Sequence, residues 1–293
     1  MTDPGFADAR ILDRGYRRYD GPRRGVPGAV RSLAASSALR ALGLRRTLWA
    51  KVFPLLSAGI AYVPAVVFVG VATLLPQDVL DEAEVQPDYQ DYYSFITAAI
   101  VVFVALVGPE VLCPDRRNGM LGLYLASPLT RGTYLLAKVL AVVPVLAIVT
   151  VGPPLLLLVG LSFAESGPDG VAGFLGILAR ILVSGLAISA AYTAVSLGAA
   201  SLTDRRAVAS AVVILVLLVS SVTAATLVEL GGDVRLQLLN LFFVPFELVQ
   251  RIYGTRGVEP ELTTAALVAA NVGWTAAGGA LVWWRYRKLT VTR

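Results

Sequence analysis

The sequence contains no histidine and a single cysteine, Cys113. Without histidine there is no His-ligated metal site, no Ser-His-Asp triad and no Cys-His dyad. A lone cysteine forms no internal disulfide. Charge is scarce as well: 15% of the 293 residues are charged, against 56% hydrophobic ones, and the mean hydropathy is +0.71. Soluble domains carry roughly 25% charged residues. A soluble enzyme is therefore excluded, and the apolar content excludes disorder. The only lysines, Lys51, Lys138 and Lys288, follow Ala50, Ala137 and Arg287. None closes the Gly-Lys-Ser/Thr end of a phosphate-binding loop, so that route to nucleotide hydrolysis is absent.

What the chain does contain is long apolar runs. Six of them, roughly Val52–Leu75, Ser94–Cys113, Val139–Phe163, Val171–Thr203, Ala207–Val228 and Leu262–Trp284, match the length a helix needs to cross a bilayer. The expected fold is an all-α integral membrane protein. Residues 1–51 form an N-terminal segment, 52–284 the six-helix transmembrane domain and 285–293 a tail. Prolines 54, 64, 109, 144, 153 and 154 fall in or near the spans and predict kinks rather than breaks, because neighbouring helices re-satisfy freed carbonyls. The first 50 residues hold no apolar run of signal-peptide type, so the N-terminus is expected to be retained.

Orientation follows from the loops. Of the 25 basic residues, all but Arg180, Arg235, Arg251 and Arg256 lie before span 1, between spans 2 and 3, between spans 4 and 5, or after span 6. The connection between spans 1 and 2 carries Asp78, Asp81, Glu82, Glu84, Asp88 and Asp91 and no basic residue. The positive-inside rule then puts both termini in the cytoplasm, in a multi-pass protein of the plasma membrane. The same rule accounts for the basic N-terminus, and no aromatic platform accompanies its arginines, so nucleic acid is not an expected partner.

Three segments outside the spans carry further signals. Val26, Val30, Leu33, Ser37, Ala41, Leu44 and Leu48 recur every three or four residues, with Arg31, Arg45 and Arg46 off that stripe. This predicts an amphipathic helix over about 26–48, lying in the cytoplasmic membrane surface. Residues 115–126 read as a second two-faced helix, with Met120, Leu121, Tyr124 and Leu125 on one face and Asp115, Asn118, Gly119 and Gly122 on the other. Ser127-Pro128 ends it. Leu236–Val249 is too short and too interrupted by Asn240, Pro245 and Glu247 to span, and reads as an external re-entrant or interfacial helix pair before the last span.

The stretch from Asp115 to Lys138, Asp-Arg-Arg-Asn-Gly-Met-Leu-Gly-Leu-Tyr-Leu-Ala-Ser-Pro-Leu-Thr-Arg-Gly-Thr-Tyr-Leu-Leu-Ala-Lys, resembles the first cytoplasmic loop of ABC-2 type transporter permeases. Asp115, Gly119, Leu121, Ser127, Pro128, Arg131 and Lys138 match that pattern, while Met120 stands for its threonine and Gly122 for its second glutamate. The resemblance extends to the architecture of the whole chain. It implies a transmembrane subunit paired with a second copy or a similar permease, and with two ABC-type ATP-binding subunits that hold ATP and Mg. This chain itself would bind no cofactor and hydrolyse nothing. The 115–126 helix would be the coupling helix on the ATPase, through Asp115, Arg116, Arg117, Gly119, Leu121, Tyr124 and Leu125. Asp204, Arg205 and Arg206, and the N-terminal helix, would add secondary contacts.

Two charges near the spans matter. Glu110 follows Gly108-Pro109 near the end of span 2 and is a candidate for a path or gating role, or for pairing with Arg116 or Arg117. Arg180 is expected to snorkel to outer headgroups. The small residues Ala269, Gly273 and Ala277 in span 6, and Gly185, Ser189 and Thr193 in span 4, predict close helix packing. Largely apolar spans favour export of a lipophilic or amphipathic compound, such as a drug or natural product. Polysaccharide or lipid-linked glycan export is the alternative on the same architecture. A stand-alone secondary transporter or channel would call for carboxylates along a path, of which the spans offer few.

Overall fold

Each of the six long apolar runs is a helix, and no strand occurs among the described residues, which in this computed structural model are 21, 24–44, 48–75 and 88–289. The first 20 residues, Arg45 and Arg46, Asp78, Asp81, Glu82 and Glu84, and the tail from 290 onward lie outside them. In chain order the elements are α1 (Gly25–Ala41), α2 (Leu48–Leu74, span 1), α3 (Tyr92–Arg117, span 2) and the short α4 (Met120–Ala126). Span 3 is α5 (Arg131–Thr150) followed by α6 (Gly152–Phe163). Spans 4 and 5 are α7 (Gly170–Leu202) and α8 (Arg206–Glu229). A 3-10 turn (Val234–Leu239) and α9 (Phe243–Tyr253) lead to α10 (Thr264–Lys288, span 6). Alternating spans give the bundle a basic end, holding α1, α4 and the 203–206 turn, and an opposite hairpin end, holding α9.

Span 2 is the centre. It packs against spans 1, 3, 4 and 5, and Tyr92, Tyr93, Ile96, Ile100, Phe103 and Leu112 on it are fully buried. Gly108 lets span 4 approach closely: a Cβ there would clash with the Ser196 side chain and backbone. The Ser196 hydroxyl instead donates to Val104 O at 2.7 Å. Spans 1 and 5 flank span 2 and turn Leu55, Ile60, Val63, Leu218 and Val222 outward. Apolar faces of this kind are what a bilayer or a second membrane subunit covers.

The helices continue through Pro54, Pro64, Pro109 and Pro144. Pro153 and Pro154 remove two helical donors, and the helix is interrupted at Val151 before resuming at Gly152. Tyr62 of span 1 donates to Ile148 O at 2.9 Å, satisfying a carbonyl at the bend. Three sequence expectations differ from the structure. Span 2 does not stop at Cys113 but continues through Pro114 to Arg117. The 115–126 segment is therefore two pieces, divided at Gly119, whose φ of +64° is left-handed and breaks the helix. The N-terminal stripe is also shorter than its periodicity suggests. Gly43 (φ +71°) closes α1: its N–H bonds Arg40 O at 3.0 Å and the Leu44 N–H bonds Leu39 O at 2.9 Å. Leu33, Ser37 and Ala41 of the stripe are buried, against spans 2 and 3 of the chain itself, whereas Val26 and Leu44 are exposed.

The small-residue pattern in span 6 is corrected as well. Ala269, Gly273 and Ala277 face outward, and the close contact is made one residue on, where Gly278 abuts Ala194 of span 4. In span 4 the pattern holds. Gly185 lies against Thr150, and the Ser189 and Thr150 hydroxyls are 2.8 Å apart.

Candidate coupling site

At the basic end, one carboxylate gathers three segments distant in sequence. Asp115, on the last turn of α3, has a side chain 1% exposed. Its Oδ2 lies 2.5 Å from Lys138 Nζ of α5, and its Oδ1 lies 2.9 Å from Arg40 Nη2 of α1. The Tyr134 hydroxyl donates to Oδ2 at 3.0 Å. Lys138 is itself fully buried and also donates to Ser37 Oγ at 2.9 Å and Val111 O at 3.2 Å. A buried ammonium and carboxylate persist only when both are paired and hydrogen-bonded, and here they are. α1 is thus fastened to spans 2 and 3 by the polar residues on its inner face.

α4 is joined to this network by aromatic rings. Tyr124 packs on Tyr134 with ring centroids 5.7 Å apart, and Tyr134 packs on Tyr286 of span 6 at 5.8 Å. Lys138 Nζ sits 5.2 Å from the Tyr134 ring centre and 5.7 Å from that of Tyr124, within cation–π range. Burial raises the Tyr124 hydroxyl above its ordinary pKa, so the phenol is neutral. A displacement of α4 would therefore act on spans 3 and 6 through stacked side chains rather than through a loose loop.

The face of α4 turned outward is not the one the periodicity suggested. Leu121 is buried, and Tyr124 and Leu125 are half-buried against the chain's own core, so none of the three is displayed for docking. Leu123, at 67% exposure, is the apolar residue that projects, with Arg117, Asn118 and Gly119 exposed beside it. Asp115 likewise faces inward and is occupied. The reason is the break at Gly119, which turns α4 relative to α3 so that 115 and 121 both point to the core.

The remaining charges at this end tie helix termini together. Arg116 Nη1 donates to Ser201 O at 2.5 Å and Thr203 O at 3.1 Å, capping the C-terminus of span 4. Arg131 does the same for span 6, donating to Arg287 O at 2.5 Å and Leu289 O at 3.1 Å. Each cation meets the carbonyls and negative dipole end that a helix leaves unsatisfied. Glu110 pairs with Arg206 at 2.6 Å, not with Arg116 or Arg117, and so links span 2 to the start of span 5. Asp204, Arg205 and Arg206 are exposed. Arg40, Tyr134 and Leu123 are the residues a pattern search does not single out; Lys138 matches the loop pattern, and seven residues beyond Arg131 in a largely apolar helix it demands a buried partner.

At the hairpin end a second buried carboxylate organises α9. Glu247, 1% exposed, pairs with Arg251 at 3.2 Å and accepts the Val258 and Glu259 N–H groups at 3.0 and 3.3 Å. Arg251 also donates to Glu259 O at 2.7 Å. The preceding turn sits deep beside the spans. Asn240 Nδ2 donates to Ser221 of span 5 at 3.3 Å, and Trp274 of span 6 donates to Leu238 O at 2.9 Å. Ser221 and Trp274 are eight and ten residues from their helix ends, which at 1.5 Å per residue is roughly 12–15 Å. Arg180 places its guanidinium 5.9 Å from the Tyr253 ring centre. A cavity of about 390 Å³ opens between spans 2 and 5 and the hairpin. Tyr93, Phe242, Phe246, Gln90 and Asn240 are among its walls, and no charged side chain lines it. Among the described residues, no cluster of three or more Cys, Asp or Glu could hold a metal ion.

The family model for ABC-2 family transporter proteins matches residues 53–284, from the second turn of span 1 to the last turns of span 6. The chain belongs to the ABC-2 transporter family. No curated protein matches it. The matched region is the permease part of such a transporter and not a nucleotide-binding domain, and members of the family work in a membrane with an ATP-binding subunit.

Proposed function

We propose that this ABC-2 chain is the transmembrane subunit of an ATP-driven exporter, with its basic end cytoplasmic and docked on the ATPase through the exposed edge of α4. The observation that supports this most is the stacked path from Tyr124 through Tyr134 to Asp115, Lys138 and Arg40. It offers a rigid route from a surface element into α1 and spans 2, 3 and 6. Leu123 supplies an apolar contact, and Arg117, Arg205 and Arg206 supply charge for register, each solvated rim pair contributing about 0–1 kcal/mol. In this reading α1 lies along the inner membrane surface and the Leu238–Asn240 turn re-enters the bilayer from outside.

The uncharged aromatic and amide walls of the hairpin-end cavity favour a lipophilic or amphipathic cargo, a drug or natural product. Stacking sugars on the same rings keeps polysaccharide or lipid-linked glycan export as a second reading. A stand-alone carrier or channel is less well supported, since Glu110 is ion-paired at one end and Arg180 sits on an aromatic ring at the other. Two copies, or this chain and a similar one, would enclose the path by pairing on the outward faces of spans 1 and 5, with two ATPase subunits beneath. Mass measurement of the complex purified in mild detergent tests this. Two permease chains with two ATPases are expected; a transport-competent single chain without ATPase would refute it.

A further inference from the structure

Between spans 3, 4 and 6, in the half of the bundle nearer the basic end, lies a crevice of about 300 Å³. Its mouth is rimmed by Leu136, Val139 and Trp283, all exposed on the outer surface of the bundle. Its floor is Thr193, Leu197 and Val282, all buried. No charged residue lines it. An opening on that surface faces lipid, so whatever fills the crevice arrives from the hydrocarbon and not from water.

One atom of the floor has nothing to do. Thr193 is 3% exposed and its Oγ1 is buried without a hydrogen-bond partner. The other hydroxyl in the crevice, Thr275, is satisfied by Asn271 O at 2.7 Å in its own helix. A threonine in a helix ordinarily bonds a carbonyl one turn back, and a buried hydroxyl left unmade is unfavourable. Turned toward the crevice that Thr193 lines, this hydroxyl would be completed by a neutral hydrogen-bonding group on an otherwise apolar molecule.

Depth argues against a phospholipid in that role. Trp283 and Trp284, with Lys288 Nζ 4.1 Å from the Trp284 ring centre, mark the level of the headgroups. Gly278 abuts Ala194, next to Thr193, and is five residues further in than Trp283, or roughly 7–8 Å at the helical rise. The ester groups of an inner-leaflet lipid sit above that depth. An alcohol, amide or phenol borne by a smaller lipophilic molecule reaches it.

We propose that this crevice is a binding site for a neutral lipophilic molecule carrying one hydrogen-bonding group, taken laterally from the bilayer and held with that group on Thr193 Oγ1. As a docking site for cargo it rests on the exporter reading above; as a binding site it rests on the crevice alone.

The test uses the full chain, with any subunits that co-purify, in phosphatidylcholine nanodiscs. The probes are a long-chain alcohol and an alkane of equal length, each bearing a diazirine, with labelled peptides mapped by mass spectrometry. Labelling should fall on spans 3, 4 and 6, with the alcohol favoured over the alkane by roughly two- to tenfold, the range of one net hydrogen bond. Thr193→Val, nearly isosteric, should remove that preference at a melting temperature no lower than that of the parent, since it also removes the unpaired hydroxyl. Gly279 lines the crevice and a Cβ there meets nothing within 4 Å. Gly279→Phe should therefore fill the space and abolish labelling by both probes. Gly273→Phe, on the same helix with equally open surroundings, should leave it intact. Equal labelling by the two probes, a preference that survives Thr193→Val, or labelling that survives Gly279→Phe would overturn the proposal. So would displacement of the alcohol by a diazirine phosphatidylcholine that labels the same peptides. Crevice labelling in a preparation that never carries an ATPase would instead refute the exporter reading and leave the site standing.

Discussion

The two ends of the bundle each bury one carboxylate, and they use it differently. Asp115 holds Arg40 of α1, Lys138 of α5 and Tyr134, so its partners come from segments far apart in the chain. Glu247 holds Arg251, one turn away, and the backbone of Val258 and Glu259 just beyond the same helix. The first is a long-range clasp and fixes how α1 and spans 2 and 3 sit together. The second is a local staple that closes the loop after α9. The basic end is a connected network, whereas the hairpin end opens on a cavity.

The sharpest way to break this comparison is to show that the two ends face the same compartment. In a Cys113→Ser background, a cysteine at Val258 (74% exposed) should react fully with an impermeant thiol reagent in intact cells. One at the exposed Ser127 should react only after permeabilisation. The reverse pattern would invert the orientation.

Next in size is the clasp itself. Asp115→Asn leaves Lys138 charged and fully buried without its counter-ion, and should cost about 3–5 kcal/mol, seen as a large drop in melting temperature in detergent. Adding Lys138→Met should recover most of that loss, because the fully buried cation is then gone and Arg40, 24% exposed, still reaches solvent. Glu247→Gln should cost less, about 1–3 kcal/mol, since Arg251 keeps its bonds to the Glu259 and Thr255 carbonyls. If the two single variants lose equal stability, the distinction between clasp and staple fails. The smallest effect is expected for Arg206→Gln. Its ion pair with Glu110 is 43% exposed on the arginine side, and such pairs contribute about 0–1 kcal/mol.

The six spans were legible because length and missing charge determine them almost alone, and the family resemblance located the segment that joins spans 2 and 3. What lay beyond reach depended on neighbours. The continuation of span 2 through Pro114 has no local signal, because it is held by Asp115 and Arg116 reaching other helices. The inward turn of Leu121 depends on Gly119 adopting a left-handed conformation and on where Tyr134 and Tyr286 stand. Gly43 is a local sign that α1 ends early, although the apolar period runs on past it to Leu48. In span 6 the outward Ala269, Gly273 and Ala277 have the same spacing that close packing requires, and only the position of Ala194 selects Gly278.

The proposed coupling role depends on the exposed edge of α4 touching an ATPase. Leu123→Cys, in the Cys113→Ser background, treated with a short bismaleimide in native membranes after a cysteine has been placed along the docking groove of the partner, measures that contact directly. A crosslink from residue 123 to a P-loop ATPase is expected, and none from a cysteine at the buried Leu121. Crosslinking from position 121 but not 123, or a transport-competent membrane in which position 123 meets no ATPase, would contradict it.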